Sequence, residues 1–219
     1  VKPRSRNDDE KLARREAILD AAEEAFLQER FDKTSMDSIA KSAGLSRALL
    51  YVYFRDKEDI HLGLCGRASE ILFQRMQQYS AQGQTGIEKL NALGRAYVDF
   101  YLEDTSQFRI LTLACSLASS AIQTEEEITP SQQEFSEHES RIMGLMTECV
   151  QLGINDNTTN LAPESDPLSV AMQMRGSLHG VIMLQDVGGS PMFDKANIDR
   201  RQWLEQSRAR LADSLKKQR

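Results

Sequence analysis

An all-α fold follows from three properties of this 219-residue chain. Its five prolines and twelve glycines fall mostly between long stretches rich in Leu, Ala, Met, Glu, Gln and Arg, side chains that lose little rotamer freedom in a helix. Apolar residues recur at steps of three and four, while the β-branched alternation of strands is scarce. The length is sufficient for one large or two small domains with a real core. About nine helices are expected: a polar arm over residues 1–9, a three-helix unit over 10–60, and a helical domain over 61–219.

The arm VKPRSRNDD carries Lys2, Arg4 and Arg6 and is expected to lack fixed structure off DNA; it reads either as a minor-groove strap or as a solvated tail. Helix one, from about Glu10 to Arg30, buries Leu12, Ile18, Leu19, Ala22, Ala25 and Phe26. A short helix from Met36 to Ser42 follows, capped by Thr34 or Ser35, with Met36, Ile39, Ala40 and Ala43 on its inner face. Gly44 ends it in the left-handed conformation, Leu45 packs back, and Ser46 caps the next helix, Arg47 to Phe54. Two short helices joined in this way form a helix-turn-helix.

The second of these helices has two faces. Leu49, Leu50, Val52 and Phe54 are assigned to packing. Ser46, Arg47, Ala48, Tyr51 and Tyr53 suit a DNA groove: Arg47 matches guanine O6 and N7, Ala48 permits close approach to a thymine methyl, and tyrosine hydroxyls reach phosphates. Thr34, Ser35 and Lys57 complete the expected DNA-binding set, Lys57 as a phosphate anchor.

From Asp56 to about Tyr79 no proline interrupts a fourth helix, whose apolar side is Ile60, Leu64, Ile71, Leu72 and Met76; Gly63 and Gly66 are expected to soften its first turns. Further helices are expected over Thr85–Glu103, Gln107–Ile122 (apolar on nearly every side), Pro130–Leu152, Pro167–Val187 and Asp199–Lys217, with NDNTTNLAPESDP and GGSPMFDKAN as connections. Gly176 and Gly180, four apart, would let a second helix come close.

The net charge of −6 divides as 12 Lys/Arg against 13 Asp/Glu in residues 1–60 and 15 against 20 in the rest, so neither part is basic overall. DNA binding must then rest on a local basic face. No apolar run is long enough to span a membrane, no leader is evident, and the chain opens on Val1 as a processed or a trimmed start would; a cytoplasmic location, nucleoid-associated when bound to DNA, is expected. His61, His138 and His179 are scattered, Glu134 and His138 read as an ordinary helix-surface pair, and no metal or other cofactor is expected. With no GxSxG elbow, Walker loop or GxGxxG, no enzyme is expected. Cys65, Cys115 and Cys149 lack metal spacing and read as buried small hydrophobes; a redox-sensing thiol at Cys65 or Cys115 is the alternative.

Three segments in order, AEEAFLQERFDKTSM, IAKSAGLS and YVYFRDKEDI, resemble the DNA-binding domain of the TetR/AcrR family of bacterial transcriptional regulators over about residues 10–62. Leu49 and Val52 depart from the residues frequent there. The resemblance implies a homodimer joined through the last two helices, a near-palindromic double-stranded operator, and a C-terminal domain that binds an unidentified small-molecule effector and relieves repression. Its pocket, between the fourth, fifth, seventh and eighth helices, would draw on Tyr97, Phe100, Tyr101, Phe108, Met143, Met146 and Met172. Arg95 and Arg175, beside apolar stripes, either pair with an internal acid such as Asp99 or Asp104 or meet a polar or anionic ligand. Activation, or control by a protein partner, is the alternative on the same fold.

Overall fold

The computed structural model describes residues 6–29, 31–118, 128–185 and 190–217, with backbone alone at 6–8, 114–118 and 190. Residues 6–9, expected in the arm, form the first turn of the helix Arg6–Glu29, whereas residues 1–5 of the arm and the Cys115 side chain lie outside the described residues. These contain ten helices: α1 Arg6–Glu29, α2 Met36–Ser42, α3 Arg47–Tyr53, α4 Lys57–Ser80, α5 Gly86–Glu103, α6 Thr105–Ala118, α7 Pro130–Asn155, α8 Pro167–Met183, α9 Ser190–Lys195 and α10 Arg200–Leu215. The expected connection GGSPMFDKAN holds the extra short helix α9, whose Phe193 is buried and meets the Trp203 ring edge-on at 4.8 Å. Outside helices, the described residues hold one isolated antiparallel bridge, Thr159 to Lys216.

The chain forms two compact units, Val1–Ala68 with Ser106–Glu137, and Ser69–Thr105 with His138–Arg219. The helix α4 contributes residues to both. In the first unit, Ile18, Leu19 and Ala22 of α1 meet Ile39 and Ala40 of α2, Leu50 of α3, Phe54, and Ile60, Leu64, Cys65 and Ala68 of α4; Ile110 of α6 joins this core and Phe135 of α7 packs against it. Gly63, expected to soften α4, is instead a close approach: a Cβ there would lie 2.9 Å from Leu19 Cδ2. Polar ties from α1 reinforce the packing, Arg15 to Glu134 at 2.7 Å, Arg67 to Asp20 at 2.7 Å, and Gln107 to Glu23 at 2.6 Å. In α6, Phe108 and Ile110 are buried but Arg109 is exposed, so the helix is less enclosed than its composition implied.

The second unit is closed by contacts far apart in sequence. Thr85 caps α5 with Glu88 reciprocating, and Asp156 accepts a bond from the Gly86 N–H at 2.7 Å. Here α5 and the end of α7 touch backbone to backbone: a Cβ on Gly86 would lie 2.1 Å from Gly153 Cα. The chain end is pinned to the α7–α8 connection through Asn160 N–H to the Leu215 carbonyl, 2.9 Å, and Lys217 N–H to the Thr158 carbonyl, 3.2 Å.

Candidate nucleic-acid interface and effector pocket

Local chemistry positions the helix-turn-helix. Ser35 and Ser38 bond each other's backbone N–H, a reciprocal cap that starts α2. The turn is set by Gly44 at φ +68°, a conformation that penalises any Cβ, and by Leu45 N–H donating to the Ala40 carbonyl at 2.9 Å. Ser46 then accepts from Leu49 N–H at 3.2 Å and opens α3.

Leu50 and Phe54 turn inward, Leu49 and Tyr53 are half-buried, and Ser46, Arg47, Ala48, Tyr51 and Val52 are exposed. Val52, assigned to packing from its apolar character, is 68% exposed and stands one turn beyond Ala48 on the outer face. The sequence did carry that information: at 100° per residue, Val52 is about 200° from Leu50, whereas Phe54 is about 40° from it. Position on the helical wheel, and not hydrophobicity, decides its direction.

Two members of the expected set are engaged inside the unit. Thr34 is 3% exposed and its hydroxyl points to the Ala25 carbonyl at 3.4 Å, so the side chain is part of the α1–α2 corner. Lys57 donates to the carbonyls of Phe31 at 2.7 Å and Thr34 at 3.1 Å, with its ammonium 4.3 Å from the centre of the Phe31 ring. Its charge serves these two carbonyls and ties the start of α4 to the α1–α2 corner. Ser35 is exposed but occupied in its own cap.

Arg47 has a defined setting. It pairs with Asp37 of α2 at 3.0 Å, donates to the Tyr51 hydroxyl at 3.3 Å, and lies 5.6 Å from the Tyr51 ring centre. The Tyr51 hydroxyl and then the Asp37 charge hold its pKa above the ordinary value.

In the second unit several expected pocket residues do converge. Tyr97 and Met146 are buried, and Tyr97 Oη lies 2.8 Å from His179 Nδ1. Desolvation, then the Arg175 charge, lowers the His179 pKa. Arg175 pairs with Glu139 at 2.7 Å, rather than with Asp99 or Asp104, and Glu139 also accepts from Ser69 at 3.2 Å. Asp99 instead accepts from Tyr79 at 3.0 Å, and Asp104 pairs with Arg75 at 2.8 Å. Tyr101 accepts from Gln185 at 3.1 Å. Met143 is half-buried, whereas Arg95 and Met172 are exposed and Phe108 belongs to the first unit, so those three do not join this cluster.

A cavity of about 30 Å³ is lined by Met76, Leu93, Tyr97, Met146, Met174 and Arg175. A groove of about 140 Å³ lies among Leu90, Val170, Met174, Leu178, Arg208 and Leu211. Met174, Leu178 and Gly94 line both. His179, bonded to Tyr97 of the cavity wall, was not among the expected site residues; a polar side chain within the apolar α8 was the available sign.

The two thiols among the described side chains, Cys65 and Cys149, are buried. Cys65 is buried beside His61, whose pKa burial pushes down to about 4, so no imidazolium favours a thiolate. Burial raises the Cys149 pKa to about 11. Among the described residues no cluster of His, Cys, Asp and Glu has metal-binding geometry, and no helix is long and apolar enough to cross a membrane.

An exposed reading helix on a capped helix-turn-helix, followed by a separate helical unit, defines a helix-turn-helix regulator class. Comparison with known proteins narrows the class: residues 18–63 match the family described as bacterial regulatory proteins, tetR family, and residues 90–205 match the tetracyclin repressor-like C-terminal domain. The chain belongs to the TetR family. It is 30% identical over 98 residues to the HTH-type transcriptional activator FasR of Mycolicibacterium smegmatis, covering 45% of each chain. It is 33% identical over 73 residues to the fatty acid metabolism regulator protein of Bacillus subtilis, covering 33% of this chain and 38% of that one. These matches span less than half of either relative's length. The fold resembles the solved fatty acid degradation regulator FadR of Bacillus halodurans, TM-score 0.64 at 18% identity over 96% and 97% of the two chains. It also resembles FadR of Bacillus subtilis in complex with stearoyl-CoA, TM-score 0.65 at 18% identity over 91% and 98%.

Proposed function

We propose that the chain is a homodimeric, operator-binding transcriptional repressor of the bacterial cytoplasm whose DNA binding is relieved by a small molecule held in the second unit. The observation that carries the reading is the exposed face Arg47, Ala48, Tyr51 and Val52 on a helix whose opposite side is locked into the core by Leu50 and Phe54. Such a face offers a guanidinium, two apolar contacts and a phenol to a major groove.

One seven-residue helix reads few base pairs, so two copies on a near-palindrome are required for useful specificity. Support for the dimer is a row along α8 and its end, Leu168, Met172, Gly176, Gly180 and Leu184, in steps of four and exposed throughout. Nothing lies within 4 Å of a Cβ built on either glycine. That face would receive the partner's α8, with α10 completing a four-helix contact.

The effector reading is supported by Tyr97 and Arg175 on the wall of a methionine-lined cavity, with His179 bonded to Tyr97. At about 30 Å³ the cavity is far below the roughly 300–1,000 Å³ of drug-sized ligand sites. A large effector therefore selects an opened state, with α4, shared by both units, as the route to the reading head. A tenfold loss of operator affinity needs about 1.4 kcal/mol of preferential binding to that state.

The test is selection of sites from random duplex DNA at about 150 mM salt, where weak electrostatic binders drop away. A two-fold symmetric consensus is expected, and absence of enrichment by folded dimer would sink the reading. Stearoyl-CoA, bound by a structural neighbour, is the first effector probe: release of the selected site by it supports an acyl ligand, and unchanged binding removes that class. Activation is the second reading, since the relative FasR is a transcriptional activator; a transcription assay from a promoter carrying the consensus separates the two.

A further inference from the structure

We infer that Asp37 is a specificity-determining positioning residue, which holds the Arg47 guanidinium at the angle for reading a guanine and withholds it from DNA phosphates. The inference rests on the DNA-reading role proposed for α3. Arg47 Nη1 donates to Asp37 Oδ2 at 3.0 Å and Nη2 to Tyr51 Oη at 3.3 Å. A guanidinium has five N–H groups. Two are engaged in these bonds, and the three left are sufficient for paired contacts to guanine O6 and N7.

Without the clamp, an arginine at the start of an exposed helix would sample many rotamers and take the nearest phosphate oxygen, a contact that carries no sequence information. Asp37 opposes this twice. It competes with phosphate for Nη1, and its own charge repels the backbone of every duplex. The acid is itself well placed: it sits in the first turn of α2, whose start is fixed by the reciprocal Ser35 and Ser38 cap. A carboxylate on the reading side lowers affinity for all DNA, and discrimination is the gain that accounts for it. Its ten-residue separation from Arg47 spans the glycine turn, so the turn geometry sets the angle of the pair.

The experiment compares Asp37→Asn, Asp37→Glu, Arg47→Ala and the Asp37→Asn/Arg47→Ala double variant in the full-length protein. Binding is read by fluorescence anisotropy on the selected consensus, on consensus duplexes with each guanine replaced in turn, and on random duplex. Thermal unfolding checks the fold of each variant. Asp37→Asn is expected to bind random duplex about 3- to 5-fold more tightly and to lose about 3- to 5-fold in discrimination at one guanine, the range of an exposed charge pair. Asp37→Glu should restore discrimination at that guanine, and in the Arg47→Ala background the Asp37→Asn change should have no further effect on it. Undiminished discrimination by Asp37→Asn, or an equal loss on every duplex together with a lower unfolding temperature, overturns the inference. If the wild-type protein enriches no consensus, it is the DNA-reading function that fails, and this inference with it; a consensus whose discrimination ignores Asp37 overturns the inference alone.

Discussion

The two units differ in where their distinctive polar groups lie. In the first, the distinctive group, Arg47 with Asp37 and Tyr51, is on the surface, and its partners are only ten and four residues apart around one glycine turn. In the second, Tyr97 with His179 and Arg175 with Glu139 face inward, and the partners are 82 and 36 residues apart. A surface that meets a large rigid partner needs side chains set by local backbone geometry. A site that encloses a small molecule needs walls drawn from several helices, and its polar groups must satisfy one another when the site is closed.

The strongest way to break that contrast is at the backbone contact that closes the second unit. Gly86→Ala places a Cβ where Gly153 Cα and N now lie 2.1 Å away, with backbone and not a flexible side chain as the obstacle. The expected loss is roughly 3 kcal/mol or more, seen as a lower unfolding temperature with hydrogen-exchange protection falling first in α5 and α7. Unchanged stability would show that these helices separate at little cost.

The acid response probes the first unit. His61 is buried among Phe26, Phe31 and Cys65, and its pKa falls from 6.5 to about 4 because burial disfavours the charged ring. The unfolded chain therefore binds the proton first as pH drops below 6.5, so its stabilisation of the fold is complete above pH 6.5 and is lost as pH falls toward 4. The difference approaches about 3 kcal/mol at the lower limit. Denaturant titrations of wild type and His61→Gln at pH 7 and pH 4.5 should show a smaller acid loss in the variant; equal losses would assign the acid sensitivity to carboxylates elsewhere.

How much of this was legible in the sequence follows the same division. Ser35, Ser38, Gly44 and Ser46 act on neighbours within a few residues, so the ends of α2 and the start of α3 were readable to the residue. The exposed row on α8 was foreshadowed by Gly176 and Gly180. The roles of Thr34 and Lys57 were not readable, because Lys57 reaches back 26 residues to the Phe31 carbonyl and only the folded corner brings the two together. Pairing of Arg175 with an acid was readable, but the identity of the acid was not: it is Glu139, while Asp99 and Asp104 are engaged by Tyr79 and Arg75. Short helix α9 escaped notice because its six residues contain no repeat long enough to show a period.

Lys57 offers a sharper, intermediate test. Lys57→Met keeps the aliphatic stem against Phe31 and removes the donor to two carbonyls, one of them at 2.7 Å. About 2 kcal/mol of stability should be lost, the range for a hydrogen bond to a charged group. DNA affinity should change by the same factor on consensus and random duplex with the salt dependence retained. A salt slope lower by about one would instead make Lys57 a phosphate contact in the complex.

The smallest effect is at Val52, and its sign carries the information. As an exposed β-branched residue inside a helix, Val52 is slightly unfavourable to α3, and Val52→Ala should raise stability by a few tenths of a kcal/mol. If Val52 meets a thymine methyl in the groove, the same change should weaken consensus binding by about 1 kcal/mol. Stability and binding then move in opposite directions, which a general loosening of the helix cannot produce. Replacing thymines of the consensus by deoxyuridine, which deletes the methyl alone, should weaken wild-type binding at one position and leave Val52→Ala unaffected there. Equal sensitivity of both proteins to every such replacement would remove Val52 from the reading face and leave Arg47, with Asp37 behind it, as the principal source of base discrimination on α3.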